Sequence, residues 1–215
     1  MTERSKKNYK DYYKKLEVIG AGAFGIVYKG IEKETEEFRA IKIIEKDKLI
    51  GSLLLQYEME DLEEHLKSCI EDFIKEFEIM KICSKNNDNS VKCYEYFNNK
   101  DNFIIIMELC NLNLFQLLNN RLLDTKKGFN SEEIYQIMKE LNNKFKIMKE
   151  ENIIHRDLKL ENILIKYVDK ENKKYKIKLS DYGCSKRLIS LSRNCNTHTG
   201  TIAYMAPEIL NGKEY

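Results

Sequence analysis

The sequence is poor in the features that define several large protein classes. Its longest uninterrupted apolar stretch, Phe103 to Met107, falls far short of the roughly 20 residues needed to cross a bilayer, so no membrane association is expected. It has almost no net charge. Its 37 basic side chains stand against 35 acidic ones, and the sum of +2 gives no sequence-wide reason to bind nucleic acid. The cysteines, at 69, 83, 93, 110, 184 and 195, form no CxxC pair and share no metal-ligand spacing with His65, His155 and His198. Such thiols suit a reducing compartment. The opening MTERSKKNYKDYYKK is basic but has neither the apolar stretch nor the small-residue cleavage site of a secretory signal, so a cytoplasmic chain is expected. Disorder is not expected either, because nine Phe and thirteen Tyr with many Ile and Leu supply a core.

A basic extension over 1–15 precedes a strand-like run from Leu16 to Ile19, which meets the glycines of GAGAFG. Ile26 to Tyr28 continues as a second strand, and Phe38 to Ile44 reads as a third. Leu55, Met59, Leu62, Leu66, Cys69, Phe73 and Phe77 then recur at steps of three or four, predicting a long helix from near Ser52 with an acidic outer face. Val91 to Phe97 and Phe103 to Leu109 flank a polar turn and form a further hairpin. Ile134, Ile137, Met138, Leu141, Phe145 and Met148 repeat at helical spacing over 131–149, with Ser131 and the acids at 132 and 133 as its capped start. Asn162 to Val168 and Tyr175 to Leu179 read as one more hairpin.

Gly20, Gly22 and Gly25 allow backbone amides to approach phosphate oxygens closely. On their own they also fit a dinucleotide fold or a plain hairpin turn. A dinucleotide fold needs a helix directly after the glycines, whereas Ile26 to Tyr28 leads into another strand pattern and AIK at 40–42. HRDLKLEN at 155–162 follows a helix and precedes a strand, DYG at 181–183 follows that strand's partner, and GTIAYMAPE closes at Glu208. These motifs, in this order and context, resemble the eukaryotic protein kinase family. Lys159 and the GTIAYMAPE segment are similar to its serine/threonine branch.

The resemblance implies an α+β, two-lobed fold, with an N-lobe sheet and helix plus hinge over 16–110 and a mainly helical C-lobe over 111–215. ATP would bind in the cleft between the lobes with Mg²⁺, and the γ-phosphate would pass to a Ser or Thr hydroxyl of a protein substrate. It implies a role for each matching residue. Asp157 would be the catalytic base and Lys159 would steady the transferring phosphate. Asn162 and Asp181 would hold the metal. Lys42 would hold the α- and β-phosphates, fixed by Glu76, with Glu78 as the alternative. Ile19, Gly20, Ala21, Gly22, Ala23, Phe24, Gly25, Val27, Ala40, Met107, Glu108, Cys110 and Leu164 would surround the nucleotide, Met107 as gatekeeper and Glu108 and Cys110 as hinge. Arg156 implies activation by an upstream kinase, with Thr197 as the acceptor and Thr199 as its rival. Thr201 would lie near Asp157 and Lys159.

Departures from the family pattern carry expectations of their own. The segment between Lys42 and Glu76 is longer than usual, so the 45–75 stretch is either a solvent-facing helix or a partner surface. The match stops seven residues after Glu208, which implies an incomplete C-lobe, a reading in keeping with the absence of tryptophan. It also raises an alternative: a catalytically inactive, nucleotide-binding regulatory module. Tyr182 replaces the usual Phe of DFG, and Leu160 a common Pro. Asn113 stands where some relatives have an acid, so no preference for Arg near the phosphoacceptor follows. Cys184, if exposed, could react with electrophiles.

Overall fold

The computed structural model describes residues 8–22, 25–54, 62–85, 89–171, 174–187 and 200–211. The chain divides into two compact units, Met1–Glu78 with Lys92–Leu109, and Ile79–Val91 with Cys110–Tyr215.

The first unit carries strands β1 (Tyr13–Gly22), β2 (Gly25–Glu32), β3 (Phe38–Glu45), β4 (Cys93–Asn98) and β5 (Asn102–Glu108), paired antiparallel in the order β1-β2-β3-β5-β4. The run Phe103 to Ile106 is apolar throughout because β5 lies inside the sheet with both faces covered. Towards the edge, β4 alternates instead, burying Cys93, Glu95 and Phe97. One face of the sheet packs Ile41, Ile43, Phe97, Ile104 and Ile106 against Tyr9 and Tyr13. Tyr9 and Tyr13 are therefore core residues within the basic leading segment, and the Tyr13 hydroxyl donates to the buried Glu95 carboxylate.

Helix α1 (Lys46–Leu54) follows β3, and α2 (Leu62–Ser84) comes after it. Helix therefore begins at Lys46 rather than near Ser52. Lys46 ends the strand by donating its amide to Asp101 O at 2.9 Å and its ammonium to Asn98 Oδ1 at 2.9 Å and Asn99 O at 2.6 Å. Leu55 and Met59 of the expected stripe lie outside the described residues. Further along the stripe, Phe73 and Phe77 pack on the opposite sheet face, with ring centroids 4.5 Å from Phe103 and 4.4 Å from Tyr96 respectively.

The second unit contains β6 (Leu112–Asn113), α3 (Leu114–Thr125), α4 (Ser131–Glu150), β7 (Ile153–Ile154), β8 (Ile163–Asp169), β9 (Lys174–Leu179), β10 (Lys186–Arg187) and α5 (Pro207–Leu210). Asn130, not Ser131, caps α4. Its side-chain oxygen accepts from the Glu133 amide at 2.9 Å, and the Glu133 carboxylate accepts from the Asn130 amide at 2.8 Å. The buried stripe of α4 is Ile137, Leu141, Lys144 and Met148, while Ile134 and Met138 are exposed. Ile134 and Met138 are apolar and stand three residues from Ile137 and Leu141, so periodicity alone does not separate them from the buried positions. The hairpin β8–β9 pairs Ile163 with Leu179 at its open end, and β6 adds to its edge. Among the described residues, no helix is long and apolar enough to cross a membrane.

Candidate active site

In the first unit, the register sets the site. Lys42 lies directly opposite Val27 on β2 and Ile105 on β5, and Ala40 lies opposite Met107. Residues paired in this way, or two apart, share a face, so Val27, Ala40, Lys42 and Met107 line one side of the sheet. That is the side covered by α2. Lys42 Nζ reaches Glu76 Oε1 at 2.6 Å, both side chains being buried. Glu78 is exposed whereas Glu76 is buried against Lys42, so the structure favours Glu76 over its alternative. A buried charge of this kind is stable only with its partner; removing one leaves the other uncompensated.

The glycine-rich turn joins β1 to β2. Gly25 has a φ of +112°, and a Cβ there would stand 2.4 Å from Ile43 O, so both conformation and close approach require glycine. Gly22 pairs with Gly25 at the end of the hairpin and Ala21 with Ile26, and Gly20 lies opposite Val27. A register irregularity between Val18 and Gly20 brackets Ile19, whose side chain is exposed. Ala23 and Phe24 lie outside the described residues. At the end of β5, Glu108 donates its amide to Lys92 O at 2.8 Å. Cys110 and Leu164 belong to the second unit, where Leu164 pairs with Asn113 and Lys178.

The second unit gathers the HRDLKLEN residues around one carboxylate. Asp157 is buried, and its Oδ1 accepts from the Thr201 amide at 2.9 Å and the Thr201 hydroxyl at 2.6 Å. Its Oδ2 meets Lys159 Nζ at 2.9 Å and accepts from Asn162 Nδ2 at 3.0 Å. Lys159 also donates to Thr201 Oγ1 at 2.9 Å. Burial alone would raise the Asp157 pKa, but the bonds from Thr201, Lys159 and Asn162 and the Lys159 charge outweigh it and hold the carboxyl below its ordinary value. For Lys159, burial lowers the pKa, and the Asp157 carboxylate more than reverses that.

The loop is held from beneath by His155, whose supporting part the sequence motif does not reveal. His155 Nε2 donates to Ser180 O at 3.0 Å, which places the ring proton on Nε2, since a carbonyl only accepts. Nδ1 is then an acceptor for the Asp157 amide at 3.4 Å. Burial keeps the imidazole pKa low and the ring neutral. Arg156 adopts a φ of +66° and donates from Nε to Cys184 O at 2.5 Å. Gly200 lets the chain return over this point, because a Cβ there would stand 2.3 Å from Arg156 O. Thr197 and Thr199 lie outside the described residues.

Asn162 and Asp181 are brought to the same end of the β8–β9 hairpin. Asn162 precedes β8 and Asp181 follows β9, and Ser180 donates both its amide and its hydroxyl to Asn162 O at 3.0 Å. Asn162 spends its amide nitrogen on Asp157 O at 2.8 Å and Asp157 Oδ2, so its side-chain oxygen is the end a cation would take. An amide oxygen and a carboxylate are hard donors that suit Mg²⁺, which keeps water and phosphate as its remaining ligands. Among the described residues no group of three His, Cys, Asp or Glu forms a metal cage, and a metal shared with phosphates does not require one. Cys184 is buried, and burial, followed by the Asp157 and Asp181 charges, pushes its thiol pKa up. The condition for a reactive Cys184, exposure, is not met.

The motif order and the geometry agree with what comparison finds. A sequence model described as "Protein kinase domain" matches residues 13–215. Calcium-dependent protein kinase 5 of Plasmodium falciparum is 34% identical over 197 residues, covering 91% of this chain and 29% of the relative. Serine/threonine-protein kinase cds1 of Schizosaccharomyces pombe is 28% identical over 210 residues, 96% of this chain and 40% of the relative. Myosin light chain kinase A of Dictyostelium discoideum is 33% identical over 206 residues, 94% of this chain and 60% of the relative. The chain thus spans less than two thirds of the length of each of these relatives, yet the match runs through every motif described above, and it belongs to the protein kinase domain family.

Proposed function

We propose that this chain is a serine/threonine protein kinase that transfers the γ-phosphoryl group of ATP to a Ser or Thr hydroxyl of a protein. The observation that carries the reading is the Asp157 carboxylate, which already holds an alcohol, that of Thr201, at 2.6 Å while Lys159 donates to the same oxygen. A substrate hydroxyl held in that way would form its bond to phosphorus as the bond to the ADP oxygen breaks, and its proton would pass to Asp157. A base with a depressed pKa acts late and chiefly by orienting the hydroxyl. Lys159 would offset charge on the phosphoryl oxygens, and Lys42, fixed by Glu76, would hold the α- and β-phosphates. Held by Asn162 and Asp181, Mg²⁺ would neutralise phosphate charge during transfer.

The kinase names of the relatives support the same reading. Lys42, Asp157, Asn162 and Asp181 are all present, and no observation favours the inactive regulatory module. Activation by an upstream kinase at Thr197, a partner at the 45–75 helices and a cytoplasmic setting belong to the proposal. The test incubates the chain with labelled ATP, Mg²⁺ and a generic protein acceptor. Label should appear on Ser or Thr and fall about 10²- to 10⁴-fold in Asp157→Asn. Equal labelling by the variant would overturn the assignment of Asp157.

A further inference from the structure

The least expected group in the second unit is an amine with no exposed surface. Lys144 on α4 is 0% exposed, and its Nζ donates to Cys83 O at 2.7 Å, near the C-terminal end of α2. The final turn of a helix leaves carbonyls without intrahelical donors. Here Ser84 Oγ takes Lys81 O at 3.2 Å, the Lys85 amide takes Ile82 O at 3.2 Å, and Lys144 takes Cys83 O. The same ammonium lies 5.7 Å from the centroid of the Tyr182 ring, within the range of a cation and an aromatic face. Tyr182 is itself 1% exposed. Its hydroxyl is 3.2 Å from Ser90 Oγ, and its ring centroid is 5.2 Å from that of His155.

An apolar side chain of similar length would fill the space of Lys144 without the cost of desolvating an amine, so packing stability gives no reason for a lysine there. What the position does adjoin is a strained backbone. Asp181, immediately before Tyr182, has a φ of +59°, which a residue with a Cβ keeps only where its surroundings over-determine it. Tyr182 is the buried anchor next to that strain. Lys144 joins it to the end of α2, as His155 joins it to the Asp157 loop.

We infer that Lys144 is a positioning residue, which fixes the Tyr182 ring against the end of α2 and so holds Asp181 in its strained, metal-facing conformation. The inference rests on the kinase reading and adds to it an outer partner for the proposed metal site. Residues of that kind change metal affinity without touching the metal.

The experiment compares the wild-type 215-residue chain with Lys144→Met and Lys144→Gln. Each is followed by thermal melting, by hydrogen exchange of the metal-free chain over 182–185, and by binding of a fluorescent ATP analogue across a Mg²⁺ titration. The Ser185 amide, which donates to Tyr182 O at 2.8 Å, reports the local turn directly. Lys144→Met should melt within a few degrees of wild type, lose exchange protection over 182–185, and need about tenfold more Mg²⁺ for half-maximal binding. Binding of the analogue without Mg²⁺ should be unchanged, and Lys144→Gln, which keeps a donor, should fall between. Wild-type protection and Mg²⁺ dependence in both variants would overturn the inference and leave the kinase reading intact. So would failure of both variants to fold, which would make the lysine a purely structural residue. A wild-type chain that folds but binds no Mg²⁺–nucleotide would overturn the kinase reading itself, and this inference with it.

Discussion

Single side chains in this protein matter through what they leave behind when changed. Glu76 and Lys42 are both buried and 2.6 Å apart, so the cost of losing one is set by the charge stranded on the other. Glu76→Gln should lower stability by about 3 kcal/mol, the lower end of the range for breaking a buried pair, and depress phosphoryl transfer more than it weakens binding of the protein acceptor. Denaturant melts and a kcat-against-KM comparison for the acceptor check this. Glu78→Gln, on an exposed position of the same helix, should change neither, and equal effects from the two would reverse the assignment. Asp157 shows the complementary case. Its carboxylate has four hydrogen-bonding contacts, so orientation is built into the folded chain before a substrate arrives.

At the scale of elements, the ends of helices carry as much information as their faces. The α3 helix carries Leu114, Leu117, Leu118 and Leu122 at helical spacing, and Asn113 and Gln116 form a reciprocal cap at 2.8 and 2.9 Å that the N-x-x-Q spacing makes legible. The same device at Asn130 and Glu133 starts α4, which carries Lys144 and leads into the Asp157 loop. Asn130→Ala should therefore lower stability by about 1 kcal/mol and the melting midpoint by about 2–4 °C. Asn130→Asp should largely restore both, as calorimetry can show. No change in either variant would mean that packing alone fixes the start of α4. The glycine-rich turn is an element of the same kind, since Gly25 is demanded by the strand beside it whether or not a phosphate is bound.

For the whole molecule, the shifted groups set the response to pH. His155 is held neutral, its folded pKa lying below the ordinary value, chiefly through burial. The unfolded chain then binds the proton more readily, so stability is lost as pH falls through the unfolded value of about 6.5. The Asp157 carboxyl is also depressed. Its contribution is complete above its unfolded value and disappears as pH falls through the still lower folded one. The melting midpoint should accordingly drop between pH 7.5 and 5.5, a window in which Asp157 stays ionised. That drop should shrink in His155→Phe; an unchanged slope would assign the effect to other groups.

The sequence by itself determined the family, the succession of strands along the first unit and the motif residues to which the proposed chemistry is assigned. Motifs such as GAGAFG, HRDLKLEN and DYG are local, and each residue type in them answers a local chemical demand. Only the tertiary structure decided what depends on packing between distant segments. It chose Glu76 over Glu78, because one face of α2 meets the Lys42 side of the sheet and the other meets solvent. It buried Cys184 and brought Tyr9 and Tyr13 into the core. It also turned Lys144, a charged residue at a stripe position of α4, into the cap of a helix 61 residues away in sequence. A lysine's hydropathy is the same wherever it stands; whether its ammonium meets water or a carbonyl is settled only when the chain is folded around it.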